Sequence, residues 1–586
     1  MTTASYEVAW TRKVDLSRRI QDPLGLYVLK YLEDDYLSGI TTQTQRLRYY
    51  SFLTWIWREI QERYDHWAEG RSQVLSAEKI LSLAAALHHR NDPEPPGGIR
   101  NRQDATDFLA SNRTLRLTDF VRFGRNNKVG YGNFYYTGPL ASLHILWRKD
   151  DASEVVFSPV GIDIANAFIH NADADVFFQE SVKRADLAKL YRCCFCAEQI
   201  PKEEIDLWRS VFFGFTAMRA DGTIAEDKSL LKSFFDGSLK IPSSFSVAAR
   251  ISEEDYLRGD TLDTLSVALS QDAQEIERRK LARRYTLLLV MKILGYATPN
   301  ADPFWELNQT IRDAIYFSQI LSERNVITRL NFGSLDSLRA IWEVYVHNLY
   351  FISVFEYIFN ILLVGIQSRP FGLTLEDVLS KLEETPLIGY LSNWFQVSDL
   401  STTVHEAQSL SKHQLPSGRS DLSAKLNERN VFLAMQVANG PEEVLGCAVA
   451  LLILLKNRFE AFSDDQLKVI ASIEARTAFV VRPDALYPKI DGLSLRTLVS
   501  FLVRDVTNRH KFVASMKYGK FGTKSWLFTE EEGLLYHYGR DYRARAYREA
   551  KWWNVVELLY DMGLVSYDNG KVSLTAEGKD WVNRIP

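Results

Sequence analysis

Three thiols within four residues, Cys193, Cys194 and Cys196, form the densest group of soft ligands in the chain. Thiolates this close can hold zinc or an iron–sulfur cluster if a second ligand group joins them. Along the sequence no such group lies nearby. His170 is distant, and His88-His89, just ahead of a proline-rich stretch, reads as the polar end of a helix. The sequence therefore predicts buried thiols, with no metal and no cofactor. Gly519-Lys520-Phe521-Gly522-Thr523-Lys524-Ser525 has the composition of a phosphate loop, but that loop needs a glycine where Ala514 stands and a hydroxyl where Phe521 stands. Glu577-Gly578-Lys579 has the Glu-x-Lys of some nucleases without an aspartate to complete a metal site. What does accumulate is positive charge. From Phe501 to Lys551 eleven Lys and Arg stand against six Asp and Glu, a local net of +5. Arg540, Arg543, Arg545, Arg548 and Lys551 crowd the approach to a helix at Trp552. Cations massed ahead of a helix are a footprint of duplex binding, and these five are the expected phosphate contacts. The alternative is a module that docks protein.

A second pattern lies on the preceding helix. Arg504-Asp505-Val506-Thr507-Asn508-Arg509-His510 sets an arginine and a histidine six positions apart. It resembles the motif of HEPN ribonucleases. The resemblance implies that Arg504 and His510, from two paired helices, meet at an RNA phosphate, with histidine as acid–base and arginine stabilising charge. The surrounding chain lacks the outline of a small four-helix HEPN domain, so this catalytic reading stands as the alternative to a non-catalytic one.

The elements that would carry these residues are mostly helical. Residues 1–100 read as a helical region. It contains a helix over Thr41–Trp57 and closes at the loop Asn91-Asp92-Pro93-Glu94-Pro95-Pro96-Gly97-Gly98, where each proline removes a donor. Residues 101–175 run helix, short strand, polar turn, strand, then a helix entered through Pro159 and Gly161. That order fits a winged helix or an ordinary α+β insertion. Residues 176–300 are helical, with Gln274–Arg284 reading as a solvated end ahead of a buried half. Residues 301–482 form a helical scaffold. Within it, Leu349–Ile366 is nearly long enough to span a bilayer, but Glu356 and Asn360 sit mid-span, which predicts a buried core helix. Residues 483–586 are the most legible. They carry a long amphipathic helix, a strand-like Thr523–Glu531, a helix from Trp552 stopped by Gly563, two strands around Asn569-Gly570, and a last helix capped by Thr575. The expected fold class is mainly α and multidomain: helical bundles with two winged-helix-like modules carrying small β-hairpins.

Composition sets outer bounds. A chain of 586 residues exceeds one core and suggests about three or four domains. The net charge of −4 argues against a whole-protein polyanion binder but leaves room for a local basic patch. Four cysteines do not make a disulfide framework, and the first residues lack the apolar stretch of a signal peptide, so a cytoplasmic location is expected, away from membranes.

Two segments carry a family resemblance. One is Asp22-Pro23-Leu24-Gly25 with Gly39-Ile40-Thr41-Thr42-Gln43-Thr44-Gln45-Arg46-Leu47-Arg48-Tyr49-Tyr50. The other is the Arg504–His510 helix running on to Asp561-Met562-Gly563-Leu564. They resemble a group of bacterial proteins encoded in anti-phage defence islands. The resemblance implies work beside helicase, nuclease or methyltransferase subunits and transfers no catalytic residue. The expected function is a non-catalytic, duplex-DNA-associated subunit of a defence or restriction-like complex. The alternatives are the HEPN-like ribonuclease and a transcription regulator.

Overall fold

The computed structural model describes residues 26–41, 46–64, 67–92, 102–111, 115–120, 137–148, 155–196, 198, 200–213, 216–218, 224–226, 271–299, 304–321, 326–369, 371–380, 382, 384–414, 421–474, 482–521, 527–537 and 551–583. These are mainly helical, with small antiparallel sheets between helices. The buried apolar side chains form one continuous set from Leu29 to Val582, crossing the sequence boundaries at 100, 175, 300 and 482.

The helix expected over Thr41–Trp57 runs instead over Leu47–Arg63. Arg46 is extended (φ −115°, ψ 131°), and the first free amide, Leu47 N, donates to Asp561 Oδ2 at 2.7 Å. A carboxylate from the far end of the sequence thus supplies the cap that the local residues lack. From Leu47 to Trp57 every side chain is buried, so this helix lies inside the fold and has no solvent-facing stripe there.

The middle is built on the 32-residue helix Asp336–Gln367. It packs against Pro441–Glu460, Phe304–Phe317 and Leu495–Phe521. Of the helices in the described residues, Gly333–Gln367 alone is long and apolar enough to cross a membrane, and 72% of its apolar window is buried inside the fold. That is the core helix expected from Glu356 and Asn360. Its charged residues are met from neighbouring helices. Arg458 Nη1 reaches Glu343 Oε1 at 3.0 Å, and Arg458 Nε reaches Glu428 Oε1 at 2.8 Å.

In the segment 101–175 the helix–hairpin–helix order appears as Arg102–Ser111, Thr137–Ser142, the paired strands Leu146–Arg148 and Val155–Phe157, and Pro159–Ile169. Ser158 caps the last helix by accepting Gly161 N at 3.0 Å. The strand Leu115–Arg116, however, pairs with Ser181–Val182, outside the expected module.

The C-terminal segment follows the sequence closely. Helix Trp552–Asp561 ends at Gly563 (φ +72°). Strands Val565–Asp568 and Lys571–Leu574 pair across Asn569 (φ +52°) and Gly570 (φ +73°), the left-handed pair a tight hairpin needs. Thr575 Oγ1 accepts Gly578 N at 3.0 Å and starts Ala576–Asn583. Upstream, Phe528–Glu531 pairs with Leu534–His537, which also pairs with Leu373–Thr374.

Candidate metal centre

Helix Trp67–His88 ends on a histidine, and His89 follows in the closing turn, its amide bonded to Ala85 O at 3.1 Å. Two imidazoles therefore leave a helix C-terminus, where unpaired carbonyls favour a cation. The thiols approach from the turn Tyr191–Cys193. Cys194 is extended (φ −59°, ψ 153°), and extended backbone sends alternate side chains to opposite sides. Cys193 turns to Phe168 O at 3.8 Å, and Phe195 stacks on Tyr49 with centroids 4.0 Å apart. Cys194 and Cys196 face the other way, onto His89 and His88.

The four ligand atoms lie within 4.8 Å of one another. His89 Nε2 is 3.2 Å from Cys194 Sγ, and His88 Nδ1 is 3.9 Å from Cys196 Sγ. Zn–S near 2.3 Å and Zn–N near 2.05 Å at a tetrahedral angle put sulfur and nitrogen roughly 3.5 Å apart. The two separations bracket that value. Nδ1 of His89 meets Asp92 Oδ2 at 2.5 Å, which leaves Nε2 as the nitrogen aimed at the thiols. A carboxylate behind a ligating imidazole is the usual outer shell of such a site. The His88 ring is fixed from behind by Tyr191, centroids 4.7 Å apart.

The hydrogen bond between the two sulfurs pulls the Cys194 thiol below its ordinary pKa and pushes Cys196 up. His89, Cys194 and Cys196 are buried, and His88 is half-buried. Two thiolates and two neutral imidazoles would neutralise a divalent cation and close a tetrahedron, leaving no open position for substrate. The arrangement can bind and cross-link; as a closed set it does not activate water.

The histidine pair and the thiols were both visible in the sequence as separate features. They meet here 105 residues apart, through packing of the His-bearing helix on the turn. The thiols are buried, as expected, and the histidines taken for a polar helix end lie against two of them. The signal available was the pairing itself: two adjacent histidines, and two cysteines in Cys-x-Cys spacing.

The remaining expected site residues fall in three places. Arg540, Arg543, Arg545 and Arg548 lie outside the described residues. Lys551 is 9% exposed, with Nζ 3.6 Å from Glu33 Oε2 and 3.9 Å from Asp34 Oδ1. Its amine faces the buried Glu33 and the half-exposed Asp34. The helix it precedes is not free either. Trp552 packs edge-on against Trp342, and Glu557 and Asp561 reach Arg46 at 3.5 and 2.5 Å. Arg504 extends outward to Glu376 Oε1 at 2.7 Å. His510 turns inward between Phe359 and Phe528, and its Nε2 accepts Leu527 N at 3.2 Å. Six positions along a helix is 240° of rotation, so the two point to different surroundings. Comparison of the chain with protein-family models, with curated proteins and with solved structures finds no match.

Proposed function

We propose that this chain is a non-catalytic binding scaffold whose N-terminal helical part is pinned by one structural zinc ion on His88, His89, Cys194 and Cys196. The convergence of two ligand pairs 105 residues apart, with Asp92 behind His89, carries the reading. Zinc is the metal that two thiolates and two imidazoles in a tetrahedron favour. Its role is to tie the end of the long helix Trp67–His88 to the turn that leads into Lys202–Phe212. That second helix carries Arg209, which holds the C-terminal segment through Met562 O and Glu577.

Elemental analysis of the purified full chain tests this. The expected result is about one zinc per chain, lost in Cys194→Ser/Cys196→Ser. Equal zinc in parent and double variant would sink the assignment.

On the sequence resemblance we extend the reading to a DNA-associated subunit of a bacterial defence complex, with the winged-helix-like segments 101–175 and 483–586 as binding modules. The support is the net +5 of Phe501–Lys551. Because Trp552–Asp561 is buried, duplex contact would fall to the basic residues ahead of it, not to that helix in a groove. Duplex retention that weakens steeply with salt, and disappears in Arg543→Glu/Arg545→Glu, is the expected outcome. A protein that ignores duplex DNA at low salt refutes this extension and leaves the metal centre untouched.

A further inference from the structure

A cavity of about 580 Å³ opens where four parts of the chain meet over Arg429 of a fifth, the helix Glu428–Val437. Its walls are the end of helix Gln271–Tyr296, one face of helix Phe304–Phe317, the hairpin Gln319–Leu321/Ile327–Arg329, and Lys571 of the C-terminal hairpin. Val572 N donates to Pro299 O at 2.9 Å and fixes that last wall in place. The volume falls within the range of about 300–1,000 Å³ usual for small-molecule sites.

The lining is sorted by chemistry. Trp305, Gln309 and Asp313 recur every four residues and share one helix face. At the rim, Trp305 is 53% exposed and Tyr296 42%, an unusual pair of open aromatic surfaces. At the floor, Asp313 and Gln309 are buried. Arg429 Nε donates to Asp313 Oδ2 at 2.7 Å and lies against the Gln309 side-chain amide. Asp313 Oδ1 accepts no hydrogen bond from the described residues. That atom is closed to solvent, so what the floor offers a ligand edge is the Gln309 amide and the Arg429 guanidinium beside the Asp313 carboxylate. Glu306 and Asp313 against Arg429 and Lys571 leave the cavity without net charge, so it does not select a simple ion.

We propose that this cavity binds the heteroaromatic base of a nucleotide, stacked on Trp305, with its hydrogen-bonding edge toward Gln309, Asp313 and Arg429 and its phosphate toward Lys571. A base needs a flat apolar face and, at its edge, donors beside acceptors; the cavity offers these at rim and floor. A free nucleotide and a base from a single strand share that chemistry. The site depends neither on the metal nor on the basic run.

Calorimetric titration of the full chain decides it, with ATP, GTP, CTP and UTP in one arm and a mixed-sequence single-stranded 12-mer in the other. Saturable binding in either arm is expected, and the arm that responds identifies the source. Trp305→Ala should weaken it about tenfold, the loss of one stacking contact. Thr310→Tyr, which fills the cavity from the same helix, should weaken it at least as much. Unfolding midpoints and zinc content of both variants are measured alongside to show that they fold. Absence of saturable binding in both arms up to about 1 mM overturns the proposal. So does binding that Thr310→Tyr leaves unchanged.

Discussion

Replacing Arg458 with methionine tests how the middle of the protein is held together. The guanidinium is 2% exposed. It donates to Glu343 Oε1, Glu428 Oε1 and Tyr316 O and lies 4.0 Å over the Tyr316 ring. Burial opposes its charge, yet the Glu428 and Glu343 carboxylates and Tyr316 outweigh burial and hold its pKa above the ordinary value. Methionine fills much of the space and returns none of the charge. Glu343 keeps Arg339 at 3.0 Å and Gln466 at 3.2 Å, so the loss falls mainly on Glu428, whose Tyr316 hydroxyl contact is long at 3.5 Å. Removing one partner of a buried pair costs about 3–5 kcal/mol. A carboxylate buried without its cation binds a proton more readily folded than unfolded, so the deficit should shrink as the pH falls. Urea unfolding of parent and variant at pH 7.5 and pH 5.5 reads both effects. In a Glu428→Gln background the same substitution should cost less than about 2 kcal/mol, because the pair is already neutralised. An Arg458→Met protein within about 1 kcal/mol of the parent at both pH values, or a deficit that grows on acidification, refutes the reasoning.

Three further outcomes follow from single side chains. Burial pushes His347 down to about 4, and Nε2 sits 3.1 Å from Leu455 O, so the folded chain holds a neutral ring. The unfolded chain takes up that proton near pH 6.5, so stability is complete above that pH and lost as the pH falls toward 4. The loss is roughly 3 kcal/mol in total and should be flattened in His347→Gln. Asp92→Asn weakens the His89 support and should lower zinc affinity by about 10–100-fold in chelator competition, with the fold retained; unchanged affinity would separate Asp92 from the site. Lys551→Met removes an amine that faces Glu33 and Asp34, so it should lower the unfolding midpoint and leave duplex retention unchanged; weaker retention at an unchanged midpoint would mark it as a phosphate contact.

Much of the local structure was legible because local chemistry decides it. Asn569-Gly570 supplies two left-handed residues, Thr575 supplies a cap, and Glu356 with Asn360 marks a helix that packs on protein. What was not legible is decided at long range. The start of Leu47–Arg63 depends on Asp561, and nothing near Thr41 announces that carboxylate. Strand Leu534–His537 is defined partly by Leu373–Thr374, on another branch of the chain. Gly578 looks like a weak point in a terminal helix, yet a Cβ there would meet Leu564 O at 2.1 Å, so the close approach requires glycine. The candidate site failed for the same reason. Each half has a bland local reading, and the chemistry appears only when the two halves are brought together.

The bond between Leu47 N and Asp561 Oδ2 spans 514 positions of sequence, and Arg46 meets the same carboxylate. A ribosome adding about 5–20 residues per second needs roughly half a minute to two minutes to make that stretch. Throughout that time the helix Leu47–Arg63 has no cap from residue 561, although its main packing partners, Trp67–His88 and Pro159–Ile169, are made soon after it. The body of the N-terminal part can therefore pack early, while the first turn of this helix is completed only after residue 561 has been added.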